Sequence, residues 1–422
     1  MIGKQGAMEN LSPKNAIRSA LASLAMLLTP PSSALEWRDF TFSSFGTAGF
    51  SCFTNAGADF TYNLMDKGPG NSTRCDPGLD SNLGAQIDYH YSDRLEITGQ
   101  ATAYRKQKDN YEPELTLAHL RWRATDHLTF RLGRMQNPLF LYSEYRMVHY
   151  AQPWVRPPRE LYSIAPVFLY DGGEALYRDT LGPWEFEFQG GLGATTVDYG
   201  QGDKLDVQTA FINFSVENDA WLIKAGYLTG LITQTTPNIK LLFNSLRAVD
   251  AIVPGARKRA DALEMHDKRY EIISFGVRYE TPTWLAVGEY GRLKIDSYYR
   301  IQDGLYFALG RHFGPWMPYV VAARRWTHGS VADHTLPRGQ NPGMDALATG
   351  IDGLYAATRL DNTSVSLGLS RELTSFATLK LQGSWVRADD RGQGPFSNFS
   401  RDYNFSRQGD DVLVSLNLDF AF

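Results

Sequence analysis

Downstream of residue 34, this 422-residue chain never shows the ~18 consecutive apolar residues that mark a membrane-spanning helix. That excludes a helical membrane protein. It leaves one other membrane solution open, because a closed β-barrel also satisfies every backbone polar group internally. Cysteine is almost missing, with Cys52 and Cys75 the whole supply. Their spacing matches no metal-ligand pattern, and no histidines cluster near them. A surplus of positive charge is absent too. Lys and Arg number 42 against 46 Asp and Glu, net −4, which is no footprint of a nucleic-acid binder. The sequence has no Walker loop, no dinucleotide fingerprint and no HExxH. It also lacks a G-x-S-x-G elbow, and its Ser, His and Asp are too scattered to nominate a triad.

What the chain does have is aromatics and glycine: 22 Tyr, 23 Phe, 9 Trp and 38 Gly. With 21% charged residues this is a folding composition, not a disordered one. The first 34 residues read as a signal peptide. Lys4, Lys14 and Arg18 form a positive n-region, "ALASLAMLL" (20–28) a short apolar core, and "SSA" (32–34) a small-residue cleavage site after Ala34. Residues 35–422 then form one exported domain. Export and an even count make a Cys52–Cys75 disulfide the default, with two unpaired thiols as the other state.

The exported part alternates with period two. "LEITGQATAY" (95–104) sets Leu95, Ile97, Gly99, Ala101 and Ala103 against Glu96, Thr98, Gln100, Thr102 and Tyr104. Strands are expected near 38–50, 83–91, 95–105, 114–124, 128–135, 172–179, 183–193, 205–216, 221–230, 270–281, 284–297, 304–312, 316–328, 363–373, 376–388 and 411–422. Their connections alternate long and short. The long ones are 51–82, 136–171, 231–269, 329–362 and 389–410. Four short turns, "LGPW" (181–184), "ENDAW" (217–221), "TPTW" (281–284) and "FGPW" (313–316), each deliver a Trp at once into a strand. Trp184, Trp221, Trp284 and Trp316 would share one rim, the pattern of an aromatic girdle at a membrane interface. "GLYAATRL" (353–360) is a further candidate strand, which would raise the count from 16 to 18. The final segment, "DVLVSLNLDFAF" (411–422), stays alternating to its last residue, Phe422.

Signal peptide, alternating strands, Trp-bearing turns and terminal Phe together resemble a Gram-negative outer-membrane porin, over nearly the whole exported chain. The resemblance implies an all-β fold: a transmembrane antiparallel barrel of about 16 strands, integral to the bacterial outer membrane, with a constriction loop folded inward. It implies that Phe420 and Phe422 are read by the barrel assembly machinery, and that the chain forms a homotrimer among outer-membrane lipids. The expected function is passive diffusion of small hydrophilic solutes, with no cofactor, metal or catalysis. A substrate-specific channel for an organic acid or sugar is the alternative, and a barrel enzyme a more distant one.

By the same resemblance, loop 136–171 narrows the pore. Its residues agree independently. Phe140, Tyr142, Tyr145, Tyr150, Trp154 and Tyr162 are wrong for a solvated loop, and Pro138, Pro153, Pro157 and Pro158 stiffen it. The acidic PEFGG motif of many general porins is missing, so their cation preference does not transfer. The loop supplies Glu144, Arg146, His149, Arg156, Arg159 and Glu160 as candidate pore residues. Strand 114–124 adds His119, Arg121 and Arg123 on one face, and Arg131 and Lys380 are similarly placed. Arginine on a lipid face costs ~2–4 kcal/mol at the midplane, so these belong to the lumen. A weak anion preference is the expectation. In the insert 231–269, residues 257–267 read as an external helix whose Arg257, Lys258 and Arg259 could meet lipopolysaccharide phosphates. "RADDRGQGPF" (387–396) is acidic but lacks calcium-loop spacing.

Overall fold

The computed structural model describes residues 35–37, 39–62, 67–106, 109–329, 336–339, 342–389, 394–403 and 409–422. The signal-peptide segment 1–34 lies outside the described residues.

Sixteen strands form one antiparallel sheet. They are β1 (Phe40–Phe53), β2 (Asn82–Ser92), β3 (Leu95–Tyr104), β4 (Glu114–Arg123), β5 (Leu128–Gln136), β6 (Leu169–Leu181), β7 (Trp184–Gly200) and β8 (Asp203–Glu217). The second half comprises β9 (Trp221–Thr235), β10 (Lys268–Glu280), β11 (Trp284–Ile295), β12 (Ile301–Arg311), β13 (Trp316–His328), β14 (Asn362–Thr374), β15 (Ala377–Ala388) and β16 (Asp410–Ala421). Each pairs with the next, and β16 returns to β1, with Phe45 opposite Ala421 and Phe53 opposite Leu413. The sheet therefore has no free edge, the only way a sheet removes its unpaired backbone groups. Phe422 adds the last two bonds of this seam, exchanging backbone hydrogen bonds with Ser44 at 2.7 and 2.9 Å. A short extra strand, Leu35–Trp37, folds back onto the start of β1.

The alternation assigns the faces. Phe188, Leu192, Ile212, Phe275, Phe307, Leu367, Leu381 and Val414 stand exposed on the outside. Thr98, Gln100, Gln189, Asn213, Ser366, Ser384, Ser415 and Asn417 are buried inside. An apolar exterior over a polar interior is the reverse of a soluble protein and the pattern of an outer-membrane barrel. One rim carries turns of a few residues. At two of them Gly182 and Gly314 take φ of +61° and +59°, a left-handed conformation that glycine adopts without a Cβ clash. Trp184, Trp221, Trp284 and Trp316 are the first residues of β7, β9, β11 and β13, directly above those turns.

The opposite rim carries the long connections. Cys52, near the top of β1, is disulfide-bonded to Cys75. The segment Asp59–Phe60 pairs with Phe396–Ser397, tying the first long connection to the last. Between β9 and β10 lie two helices, Pro237–Ala248 (α2) and Ala256–Leu263 (α3), the label α1 being kept for a single turn, Arg159–Tyr162, inside the barrel. The sequence reading foresaw only the second of these two, displaced by a few residues. A fourth helix, Pro342–Ala357 (α4), precedes β14. It takes up most of "GLYAATRL", so the eighteen-strand alternative is overturned. Buried Met344, Leu347, Ile351 and Tyr355 recur at helical spacing, which period-two reading of a short window cannot see.

Candidate functional site

The connection from β5 to β6 does not project from the rim. Residues 137–168 enter the barrel and pack against its inner wall. Three glycines on adjacent strands, Gly276, Gly291 and Gly304, make room for it. A Cβ on Gly276 would stand 2.8 Å from Leu141 Cγ, and one on Gly291 2.8 Å from Phe140 and 2.9 Å from Leu161. At Gly304 the obstacle is backbone: the Glu160 carbonyl oxygen at 2.5 Å and Leu161 Cα at 2.9 Å. At Gly304 a side chain would push the loop off the wall, whereas at Gly276 and Gly291 the facing loop side chains would have to move aside.

Around the glycines the contact is apolar. Phe140, Leu141, Trp154, Leu161, Tyr162 and Ile164 from the loop share one buried cluster with Leu285, Val287, Leu293 and Tyr306 of the wall. Phe140 lies tilted against Tyr162, with ring centres 5.1 Å apart, and Trp154 meets Tyr142 and Tyr306 edge-on. Each such side chain, fully buried, stabilises the docked loop by ~1.5–3 kcal/mol. This solves the puzzle of an aromatic loop in an exported protein. Its rings face a wall, not water.

Polar groups fix the register of the docking. Glu289 of β11 accepts hydrogen bonds from the Leu141 backbone N–H and the Tyr162 hydroxyl, both at 2.7 Å, and from Tyr306. Lys380 of β15 donates to the His149, Gln152 and Trp154 carbonyls at 2.7, 2.6 and 3.3 Å, and pairs with Asp419 at 2.8 Å. Arg156 grips Asp80 through two nitrogens, Nε at 2.7 Å and Nη2 at 2.5 Å, with Ser415 at 2.7 Å. Asn82 and Asn362 add bonds to the Met147 carbonyl and the Glu160 carboxylate. Buried carbonyls of an irregular loop would otherwise cost free energy comparable to a lost hydrogen bond each.

The candidate pore residues accordingly divide. Lys380, expected to face the pore, is 1% exposed beneath the loop and serves as an anchor, a correction to the sequence reading. Arg156 and Glu160 are buried anchors as well, and the Arg146 guanidinium lies 3.3 Å from the centre of the Phe168 ring. His149 meets Thr47 at 3.1 Å, and burial holds its imidazole below the usual histidine pKa. His119 is also buried. Glu144 and Arg131 bond each other at 2.9 Å, and Arg131 reaches Glu174 as well. The expected basic wall is therefore mixed. Arg121 stands 3.5 Å from Glu96, while Arg123 is exposed at the short-turn rim. Arg159 makes no ion pair among the described residues, although the Glu160 carboxylate acts on it. Burial, and then the nearby Arg325, lower its pKa to about 10.

Several contributors escaped the sequence reading: Asp80, Glu174, Glu289, Arg325 and the three glycines. One signal for them was present. On β11 the inward positions carry Leu285, Val287, Leu293 and Ile295 with Glu289 as their one charge, while the outward ones include Arg292 and Lys294, which marks a wall with something packed against it. Arg257, Lys258 and Arg259 lie on α3, the first two exposed. The 387–396 segment falls partly outside the described residues. Among those described, no three His, Cys, Asp or Glu are grouped to hold a metal ion.

No family model matches the chain and no curated protein matches it. Solved structures do match. The outer membrane channel DcaP of Acinetobacter baumannii is similar over 92% of this chain and 100% of its own, at 10% identity and TM-score 0.53. OmpF of Salmonella typhi, in complex with daunomycin, matches over 92% and 99%, at 12% identity and TM-score 0.52. The anion-selective porin from Comamonas acidovorans matches over 91% and 100%, at 10% identity and TM-score 0.51. At these identities the likeness is one of fold. A closed sixteen-stranded barrel with an apolar belt is an integral outer-membrane protein. Within that class, a long loop turned into the lumen after the fifth strand gives this chain the fold of the porins.

Proposed function

We propose that this protein is an outer-membrane channel through which small hydrophilic solutes diffuse passively, with loop 136–171 as its constriction. The observation that carries the reading is the seat of the loop on Gly276, Gly291 and Gly304. An enzyme would need a nucleophile or an activated water, and nothing in the sequence nominates one. A channel needs a rigid restriction, and the docked loop is one. The test is single-channel recording of the purified barrel in planar bilayers. Stepwise conductance supports the reading. A folded barrel that carries no current refutes it.

A weak anion preference belongs to this proposal and rests on Arg159 more than on Arg121 and Arg123, since Glu96 stands beside Arg121. So do a homotrimeric assembly, an interfacial role for Trp184, Trp221, Trp284 and Trp316, and lipopolysaccharide contact at the outer rim. Phe420 and Phe422 are proposed as the signal that the assembly machinery reads. Phe422→Asp is expected to leave the sequence able to form strands but to empty the outer-membrane fraction of heat-modifiable barrel. Normal levels there would refute the role. The narrower reading is a channel specific for an organic acid or sugar.

A further inference from the structure

On the outside of the barrel, at the short-turn rim of β11–β14, arginines alternate with aromatic rings. Period two places Trp284, Arg311, Trp316 and Arg371 on the lipid-facing side of four successive strands. Trp284 pairs with Arg311 across β11 and β12, and Trp316 with Arg371 across β13 and β14. Phe313 sits in the turn between the two pairs and bonds Trp316 through the backbone. The Arg311 guanidinium lies 4.9 Å from the ring centres of both Trp284 and Phe313. The Arg371 guanidinium lies 4.6 Å from that of Trp316. The two arginines are two strand spacings apart, about 10 Å across the sheet, and both lean on the rings of one turn.

Neither arginine has a carboxylate partner among the described residues. On the lumen side of the same rim, by contrast, Arg178 bonds Glu187, and Arg278 stands 3.5 Å from Glu280. Glu372 follows Arg371 in sequence but alternates to the lumen face, where its charge acts on Tyr150 of the loop. Asp219 lies in the turn before β9, two strands from β11. Two positive charges therefore stand uncancelled on a face that otherwise meets hydrocarbon. Stacking on a ring holds each guanidinium in place and leaves its edge of N–H donors free. That fork fits a phosphate. Further along the same face, Phe307, Leu309 and Leu367 are all exposed, a surface for acyl chains.

We infer that this rim binds an anionic phospholipid of the periplasm-facing leaflet, its phosphate held by Arg311 and Arg371 and its chains along Leu309 and Leu367. The inference rests on the reading of Trp284 and Trp316 as interfacial, and it adds the charge of the headgroup they meet. A zwitterionic phospholipid offers the same phosphate, but it also brings a cationic group toward two arginines. A lipid whose headgroup is net negative complements them.

Native mass spectrometry of the folded barrel, released from detergent with phosphatidylglycerol or phosphatidylcholine added, tests the site. Phosphatidylglycerol is expected to stay bound at a concentration about tenfold below that needed for phosphatidylcholine, the effect of one charge-assisted hydrogen bond. Arg311→Gln with Arg371→Gln should bring phosphatidylglycerol to the level of phosphatidylcholine. Arg311→Lys with Arg371→Lys, which keeps the charge but not the fork, should fall between. Arg324→Gln is the control, because Arg324 is also exposed on the lipid side but lies toward the other end of β13. It should leave phosphatidylglycerol binding as in wild type. Heat-modifiable mobility on gels checks that each variant is folded. Equal retention of the two lipids, unchanged phosphatidylglycerol binding in the folded double Gln variant, or an equal loss in Arg324→Gln overturns the inference. So does a changed number of subunits in the spectra of the double Gln variant, which would give this face to a second copy of the chain. Bilayer conductance is read separately. Current without lipid selectivity sinks the site and leaves the channel, whereas selective lipid binding without current sinks the channel and leaves the site.

Discussion

The inner wall of this barrel is two surfaces. On β3 the residues facing inward are Glu96, Thr98, Gln100 and Thr102, and on β16 they are Ser415, Asn417 and Asp419 with one leucine above them. On β11 they are Leu285, Val287, Gly291, Leu293 and Ile295, with Glu289 as the single charge. The strands share geometry and pairing, so the difference is imposed by what lies against them. One wall meets polar partners or water, and the other meets a loop of aromatic rings. Period-two alternation says which residues share a face. It does not say that the inward face must be polar, because a lumen can hold protein as well as solvent.

The most direct way to break this contrast is to refuse the loop its seat. Gly304→Val places a branched side chain where Cβ alone would stand 2.5 Å from a loop carbonyl oxygen. Neither partner can yield locally, since both are backbone. The loop is expected to leave the β10–β12 wall and conductance to change several-fold, while strand content by circular dichroism is kept. Gly99→Val, on the outward face of β3 away from the loop, is the control. Its Cβ position is 3.6 Å from the one neighbouring side chain, so conductance should be as in wild type. Equal effects of the two substitutions would show that the glycine seat is not what holds the loop.

Next in size is the anchor. Lys380→Met removes four interactions at once and strands Asp419 in a buried site, where Thr47 donates its only other bond among the described residues at 2.8 Å. Losing one partner of a buried pair costs ~3–5 kcal/mol. The expected readouts are a lower temperature of heat modification and a noisier open-channel current. Adding Asp419→Asn should restore part of the thermal loss, because the uncompensated charge is then gone. If the double variant is as unstable as the single one, the loop carbonyls and not the buried charge carry the cost.

The sequence showed most of the barrel and only part of what fills it. Strand positions were legible because alternation and turn chemistry are local, and they survive in β14–β16 to within a few residues of the observed ends. The loop was legible by its misfit, seven aromatics and five prolines between β5 and β6. Its orientation on the wall was not, because Gly276, Gly291 and Gly304 acquire meaning only when pairing places them side by side. Charges fared worst. Lys380 read as a pore residue because it alternates with apolar neighbours and Arg156 because it lies on the loop, yet burial turned both into anchors. Helix α4 was misread in part for a related reason, as eight residues are too few to separate a period of two from one of 3.6.

A smaller effect is expected outside the membrane belt. The disulfide closes the first long connection, and that connection meets the last one through Asp59–Phe60 and Phe396–Ser397. Cys52→Ser with Cys75→Ser should lower stability by ~3 kcal/mol in the chain-entropy account. Proteolysis of the outer loops should quicken while loop 136–171 stays protected. Equal cleavage of both would mean that the outer connections and the lumen loop open as one unit.

The smallest effect should come from the residues that the sequence made most prominent. Arg121 and Arg123 lie on β4, on the polar wall and toward the short-turn rim. Glu96 stands 3.5 Å from Arg121, and Arg121 is more than one-third exposed. Water and salt reach such a pair, and its field falls away over about 8–10 Å at ordinary ionic strength. Arg159, in contrast, is half-buried within the loop, where screening is weaker. Replacing Arg121 and Arg123 together by Ser should therefore move the reversal potential in a salt gradient only slightly toward cations, less than Arg159→Gln moves it alone. Two arginines lost against one makes the ordering informative, because a count of charges gives the opposite result. If the double serine variant shifts selectivity more than Arg159→Gln does, ions are sorted at the polar wall and not at the loop.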